Sequence, residues 1–166
     1  MNGSVGIRRI RRADLADAGD AGIYSGLLDA YARDPLGQGR PLPPQVLEKV
    51  VEDLRNHPAA RLFLSFIDDS AFAFATCLLG YSTFRAAPLL NIHDLAVLPE
   101  FRRRGVARQL LGFIERQARE EGCCKLTLEV RQDNPAAESL YRAEGFGPAD
   151  VGGRKVEHLF LEKNLH

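Results

Sequence analysis

Cysteine is scarce in this chain, and so is any excess of charge of one sign or any long apolar run. Cys77, Cys123 and Cys124 are three in number, which leaves one thiol over in any pairing, and adjacent cysteines rarely pair with each other. They build no disulfide framework and lack the spacing of metal ligands, so no metal is expected. They fit a reducing cytoplasm and read as buried, inert thiols. Lys+Arg and Asp+Glu are both 22, so global charge gives no reason to expect a nucleic-acid or membrane partner, and any basic site must be local. The longest apolar run, AFAFATCLLGY, is far too short for a bilayer span. The start, MNGSVGIRRIRRADL, has no apolar run of signal-peptide type, so a cytoplasmic location is expected.

What is present is an ordinary globular composition. The chain has 166 residues, 45% hydrophobic and 27% charged, which suits a single domain over 1–166 with a core of its own. There is no internal repeat. A short strand is expected at 5–10, then a helix from Asp14, as its cap, to about Arg33. Gly19, Gly22 and Gly26 make that helix weak on propensity. DPLGQGRPLPP, Asp34 to Pro44, cannot be regular structure. Pro44 opens a second helix that ends near Asn56. From Arg61 the period changes to that of strands, and Asp68-Asp69-Ser70 reads as a hairpin turn.

A third strand covers Leu89 to Leu98 and stops at Pro99. A helix follows from about Arg104 to Glu121, with Gly122 placed to end it. A strand is expected over 124–130, then a helix with Asn134 as cap, Pro135 in its first turn and Gly145 at its stop. KVEHLFLEK reads as a last strand. Hairpin strands followed by a strand–helix–strand unit give an α+β (mixed α/β) fold, one sheet with helices on both faces.

LPEFRRRGVARQLL, Leu98 to Leu111, joins a strand to a helix through four arginines and a glycine. The first amides of a helix have no partner within it, and the helix dipole adds about half a positive charge there. Gly105 lets a ligand approach the backbone closely. Arg102, Arg103, Arg104 and Arg108 oppose that dipole unless an anion sits among them, and phosphate is the anion such a terminus favours. Neither of the usual glycine-rich nucleotide fingerprints is present.

Arg102-x-x-Gly105-x-Ala107 resembles the pyrophosphate-binding motif of the GNAT superfamily of N-acetyltransferases, Q/R-x-x-G-x-G/A. The resemblance runs from Leu90 to Gly147 and takes in NPAAESLYRAEGFG downstream. It implies a central mixed, mostly antiparallel sheet that splays beside the motif. It implies acetyl-CoA as co-substrate, with the pyrophosphate on the backbone of Arg103 to Ala107, including Gly105 and Val106, and flanked by Arg102 and Arg108. The pantetheine arm would pair along Leu95, Ala96 and Val97. Asn134 falls where the family contacts the cofactor or a water, although its capping role stands beside that one. Tyr141 falls on the tyrosine held to protonate the leaving thiolate, a transfer that a phenol of pKa about 10 can make.

Acetyl transfer from a thioester to an amine needs a proton removed from an ammonium of pKa about 10. His93 and Asp94 lie where family members place a base or the end of a water chain. Alternation puts His93 with Leu95 and Val97, and Asp94 with Ile92 and Ala96. The choice between them is open here, and a bulge would spoil the face argument. No cysteine takes a catalytic position, so direct attack is expected.

The acceptor end belongs to the first two helices and the loop between them. Tyr31 and Asp34, with Tyr24 and Asp29, are its candidate contacts beside a flexible Gly/Pro lid. A small-molecule primary amine is the expected acceptor. Protein N-terminal acetylation is the alternative, because the tail also resembles ribosomal-protein acetyltransferases, and a non-catalytic acyl-CoA sensor is the third reading. Many members of the family pair as homodimers, but no sequence feature marks an interface. If Tyr141 is the proton donor, Tyr141→Phe lowers turnover at least tenfold with little change in acetyl-CoA affinity. Steady-state kinetics beside calorimetry checks this, and equal losses in both would make the residue structural.

Overall fold

The computed structural model describes residues 9–165. The chain divides into two compact units, one through Leu128 and one from Glu129. The first holds β1 (Arg9–Arg12), α1 (Ala18–Arg33), α2 (Pro44–Asn56), β2 (Ala60–Ile67), β3 (Ser70–Ser82), β4 (Ala87–Val97), α3 (Val106–Glu120) and β5 (Leu126–Leu128). Of the strand expected at 5–10, only the part from Arg9 lies within the described residues. The five strands form one sheet in the order β1-β2-β3-β4-β5. All neighbours are antiparallel except β4 and β5, as expected for a mixed, mostly antiparallel sheet.

Alternation along the strands makes the sheet apolar on both faces. Leu62, Leu64 and Phe66 of β2 join Phe74 of β3 on one face. Tyr24 and Leu27 of α1 complete that cluster, with Val51 and Leu54 of α2 packed at its margin. On the other face α3 buries Val106, Leu110, Ile114 and Ala118, a stripe at helical spacing. Its Phe113 ring stands edge-on to Phe63 of β2 at 5.7 Å. Truncating any of the large buried side chains to alanine would cost about 2–5 kcal/mol.

The glycine-rich α1 begins later than expected. Its cap is Asp17, whose side chain accepts from the Asp20 amide at 2.9 Å. Asp14 instead accepts from Ala16 in the turn before it. What holds this weak helix is its buried face together with Asp20, 5% exposed. The Asp20 carboxylate takes both ends of the Arg11 guanidinium from β1 at 2.6 Å and the Asp14 amide at 2.8 Å. One carboxylate thus ties an edge strand, a turn and a helix together.

The Gly/Pro segment, expected as a flexible lid, bonds back onto the end of α1. Gln38 and Arg40 donate to the Ala32 carbonyl, Gly37 and Gly39 to that of Asp34, and Leu42 to the Asp29 carboxylate at 2.9 Å. A Cβ at Gly37 would stand 2.1 Å from the Tyr31 carbonyl oxygen, so only glycine lets the chain fold back this closely on α1. The hairpin turn falls at Asp68-Asp69 as expected, with Asp68 at φ 52, a region aspartate tolerates better than most residues.

β5 is shorter than the 124–130 expected because it exists only where it has a partner, over Leu90 to Ile92 of β4. The second unit contains α4 (Pro135–Ala143) and a hairpin of β6 (Ala149–Val151) and β7 (Arg154–Val156). The expected last strand is therefore confined to its first residues, and 157–165 have no regular structure. No described helix is long and apolar enough to cross a membrane.

Replacing Asp20 by alanine leaves Arg11 and the Asp14 amide without their acceptor and lowers stability by about 3 kcal/mol. The Arg11 hydrogen bonds hold the Asp20 carboxyl below its ordinary range despite burial. Its contribution is therefore full above about pH 4 and lost as pH falls through the folded-state value. Urea unfolding at pH 7 and pH 3 should show the gap between wild type and Asp20→Ala narrowing in acid.

Candidate functional site

The site is built where β4 leaves its neighbour. β4 and β5 pair only from Leu90↔Leu126 to Ile92↔Leu128, with the Asn91 amide donating to the Thr127 hydroxyl at 3.0 Å. Beyond Ile92 one edge of β4 has no strand beside it among the described residues, while the other continues along β3 to Val97. Leu98 donates to the Phe72 carbonyl. Antiparallel alternation then turns the peptide groups of Asp94 and Ala96 toward β3, and those of Leu95 and Val97 toward the open edge.

A bulge sets this parity. Thr76 pairs with Asp94 but Cys77 pairs with Ile92, so His93 is an extra residue in β4. The assignment of faces from simple alternation is corrected accordingly. Ile92 lies with Cys77, Leu95 and Val97 toward α3, whereas Asp94 and Ala96 lie with Thr76 and Phe74 toward α1. His93 is exposed and Asp94 half-buried. Burial pushes the Asp94 carboxyl above its ordinary range, and His93 and a hydrogen bond with Thr76 pull it back in part. The Thr76 hydroxyl is also 2.8 Å from that of Tyr24.

From β4 the open edge leads into a turn. Pro99–Phe101 make one 3₁₀ turn, fixed by the Phe101 ring stacked on Phe72 at 4.7 Å. Arg103 takes φ 59, which costs a non-glycine residue about 1 kcal/mol. Gly105 caps α3 at φ 78 with no side-chain hydrogen bond to its first turn. Left-handed residues leading into a helix gather successive amide N–H groups into one concavity. A Cβ at Gly105 would meet nothing within 4 Å, so the call for glycine comes from its φ and from what must approach it, not from crowding.

The arginines divide into two kinds. Arg103, Arg104 and Arg108 are exposed, while Val106 is buried and Ala107 half-buried beneath them. The Arg104 guanidinium lies over the Phe101 ring at 5.9 Å. Arg102 turns inward: its Nε donates to the Val97 carbonyl at 2.8 Å and its Nη2 to Asp34 at 2.7 Å. Asp34 also accepts from the Leu36 amide at 2.8 Å. Burial works against its charge, yet these donors outweigh it and hold the carboxyl below its ordinary range. Asp34 is thus a brace between α1 and the end of β4. Tyr31 stands edge-on to Phe74 at 6.2 Å, in a narrow cleft with Ala96, Val97 and Arg102.

The first unit therefore brings together Asp94, the open edge at Leu95 and Val97, the turn at Arg103 to Ala107, and the Arg102–Asp34 brace. In the second unit Asn134 caps α4, accepting from the Ala137 amide at 3.2 Å. Tyr141 is half-buried there, edge-on to Phe146 at 5.9 Å. Thr76 was missed by sequence reasoning; a lone hydroxyl in AFAFATCLLG was its one signal. A recess of about 350 Å³ lies elsewhere, among Arg12, Asp14, Leu54, Arg55, His57 and Ala60, and holds none of the candidate catalytic, cofactor or acceptor residues. Cys77 is buried, and burial pushes its thiol up.

A strand edge left open beside an uncapped, glycine-led helix start suits a long anionic ligand whose amides pair with β4. Comparison with known proteins agrees with that geometry. Residues 26–146 match the acetyltransferase (GNAT) family, and the chain belongs to it. An aminoglycoside N(6')-acetyltransferase type 1 of Salmonella typhimurium is 28% identical over 87 residues, 51% of this chain and 60% of that protein. A [ribosomal protein bS18]-alanine N-acetyltransferase of Haemophilus ducreyi is 38% identical over 99 residues, 59% of this chain and 64% of that protein. The match thus spans under two thirds of each relative's length. A crystal structure of an aminoglycoside N-acetyltransferase in complex with CoA shares the fold, with TM-score 0.71, 23% identity and 93% of each chain covered.

If the turn takes the pyrophosphate, Gly105→Val forces a β-branched residue into a left-handed conformation and weakens CoA binding by tenfold or more, about 1.4 kcal/mol or above. Calorimetric titration with CoA checks this, and unchanged affinity would remove the turn from the site.

Proposed function

We propose that this protein is an acetyl-CoA-dependent N-acetyltransferase that acts on the primary amine of a small molecule by direct attack. The observation that carries the reading is the parting of β4 from β5 at Ile92 beside the uncapped start of α3. The open peptide group of Leu95 and the N–H of Val97, whose carbonyl is taken by Arg102, suit the amides of a pantetheine arm. The amides at Arg103 to Ala107 suit its pyrophosphate, with Arg103, Arg104 and Arg108 adding positive potential. Acetyl-CoA, when bound there, supplies an acyl thioester. A buried Cys77 whose thiol is hard to ionise supports attack by the amine itself.

Asp94 is the proposed base. It takes a proton from the incoming ammonium, leaving the amine lone pair free to attack the thioester carbon. Burial raises its proton affinity, which brings it nearer that of the amine it serves. His93, exposed beside it, is the proposed exit for that proton to water. Tyr141 is the proposed donor to the leaving thiolate, and Asn134 a proposed cofactor contact beside its capping role.

The carboxylates near the acceptor end argue for an acceptor with one ammonium. Asp20 is held by Arg11, Asp29 by Arg33 and the Leu42 amide, and Asp34 by Arg102. Among the described residues no guanidinium is paired with Asp94. A polycation would find its counter-charges already taken on α1. The 38% identity to a ribosomal-protein alanine acetyltransferase favours a second reading, a peptide N-terminus as acceptor, which also presents one amine. A cytoplasmic location is part of the proposal.

Mass spectrometry of products formed from acetyl-CoA tests it, with one pool of amino acids and simple amines and another of peptides with free N-termini. Product in the first pool is expected. Product only among peptides moves the assignment to the second reading, and bound acetyl-CoA without product in either pool overturns the enzyme reading.

A further inference from the structure

We propose that Tyr24 and Thr76 are positioning residues that aim one oxygen of Asp94, so that the proton leaving the acceptor amine lands on the other. The inference rests on Asp94 being the base, and it adds a device that sets where that base is protonated.

Three elements supply the parts. The bulge at His93 makes Thr76 the direct cross-strand partner of Asp94, so the two side chains leave the sheet on the same face. α1 lowers Tyr24 onto that face, 1% exposed, its ring edge-on to Phe74 at 5.6 Å and 88°. The Tyr24 hydroxyl is 2.8 Å from that of Thr76, and Asp94 stands directly across the ladder from Thr76 on the same face, where the Thr76 hydroxyl favours its ionised form.

Counting hydrogens orders the chain. An ionised carboxylate can only accept, so Thr76 must spend its single proton on Asp94. The Thr76 oxygen is then an acceptor toward Tyr24, and Tyr24 donates. Reversing the sequence would aim the Thr76 proton at Tyr24 and leave the buried phenolic proton to find another acceptor, which costs about 1–3 kcal/mol if none is made. Burial raises the Tyr24 phenol to about 12, so it remains a donor wherever the enzyme would work. One Asp94 oxygen is thereby occupied. When R–NH₃⁺ gives up its proton, the N–H bond breaks, its electron pair stays on nitrogen, and the proton joins the second oxygen to give neutral R–NH₂ and Asp94–COOH.

The groups that act on Asp94 are few. His93 on its own strand lowers its proton affinity. Thr76 faces it from β3 and Tyr24 stands behind Thr76 on α1. Cys77 of β3, whose own ionisation Asp94 opposes, stays a neutral thiol.

The test needs no acceptor. Carboxyl carbons of the intact protein are labelled with ¹³C-aspartate and titrated by NMR, with Asp94→Asn identifying the resonance. Thr76→Val, close in shape but unable to donate, should raise the Asp94 pKa by about one unit, the size of a lost charge-assisted hydrogen bond. Thr76→Ser should restore it, and Tyr24→Phe should raise it by less because Thr76 is freed to turn away. An Asp94 titration unchanged in Thr76→Val overturns the proposal. So does a shift in Thr76→Val that Thr76→Ser fails to reverse, since that traces to packing. Acetyl transfer measured separately then shows whether it is the positioning or the base reading that has failed.

Discussion

One residue too many in β4 governs most of what this molecule presents. Before His93, Leu90 turns its amide toward β5 and donates to the Lys125 carbonyl. After it, the odd-numbered Leu95 and Val97 turn theirs to the same edge, now open. The insertion also changes which side chain faces α1, so a carboxylate stands beside Thr76 on the face that carries Leu62, Leu64, Phe66 and Phe74. A regular strand could not do both. It would keep its hydrogen bonds continuous and place Asp94 with different neighbours, and the open edge would lose its register with the turn that follows.

The charges near the site serve structure first. α1 contains three glycines and begins behind a turn, and it is held by Asp20 on Arg11, by its apolar face and by Asp34 on Arg102. Carboxylates used this way are unavailable to a ligand. The acids of α1 are thereby committed to structure, whereas Asp94 is held by no guanidinium among the described residues. The same economy holds among the arginines of the turn. Arg102 is spent inward, and those at 103, 104 and 108 face solvent.

Much of this was legible in the sequence, for identifiable reasons. The helices opening at Pro44 and Pro135 announce themselves by a proline that fixes φ and needs no amide partner, and Gly105 and Gly122 mark α3 at both ends. The stripe Val106, Leu110, Phe113 or Ile114, and Ala118 follows from period alone, and the fold buries Ile114. Where reading failed, a long-range partner decided the outcome. The bulge depends on how β3 and β4 settle against each other, and no local property of NIHDLAV requires it. The cap of α1 went to Asp17 because Asp14 was drawn into its own turn. The Gly/Pro segment looked mobile because its composition forbids helix and strand, yet its amides fold back on Ala32, Asp34 and Asp29. Asp34 reads from the sequence as a candidate acceptor contact, and its pairing with Arg102, distant in sequence, is visible only in the fold.

Arg102 divides a single guanidinium between the Val97 carbonyl on the open edge and Asp34 at the end of α1. Whatever competes for that carbonyl loosens the hold on Asp34, and whatever moves Asp34 changes how firmly the carbonyl is held. Two binding regions joined through one shared donor are thermodynamically linked, and the factor by which the first ligand alters the second is matched in reverse. Occupancy at one end of this guanidinium can thus be felt at the other, from the allegiance of one side chain.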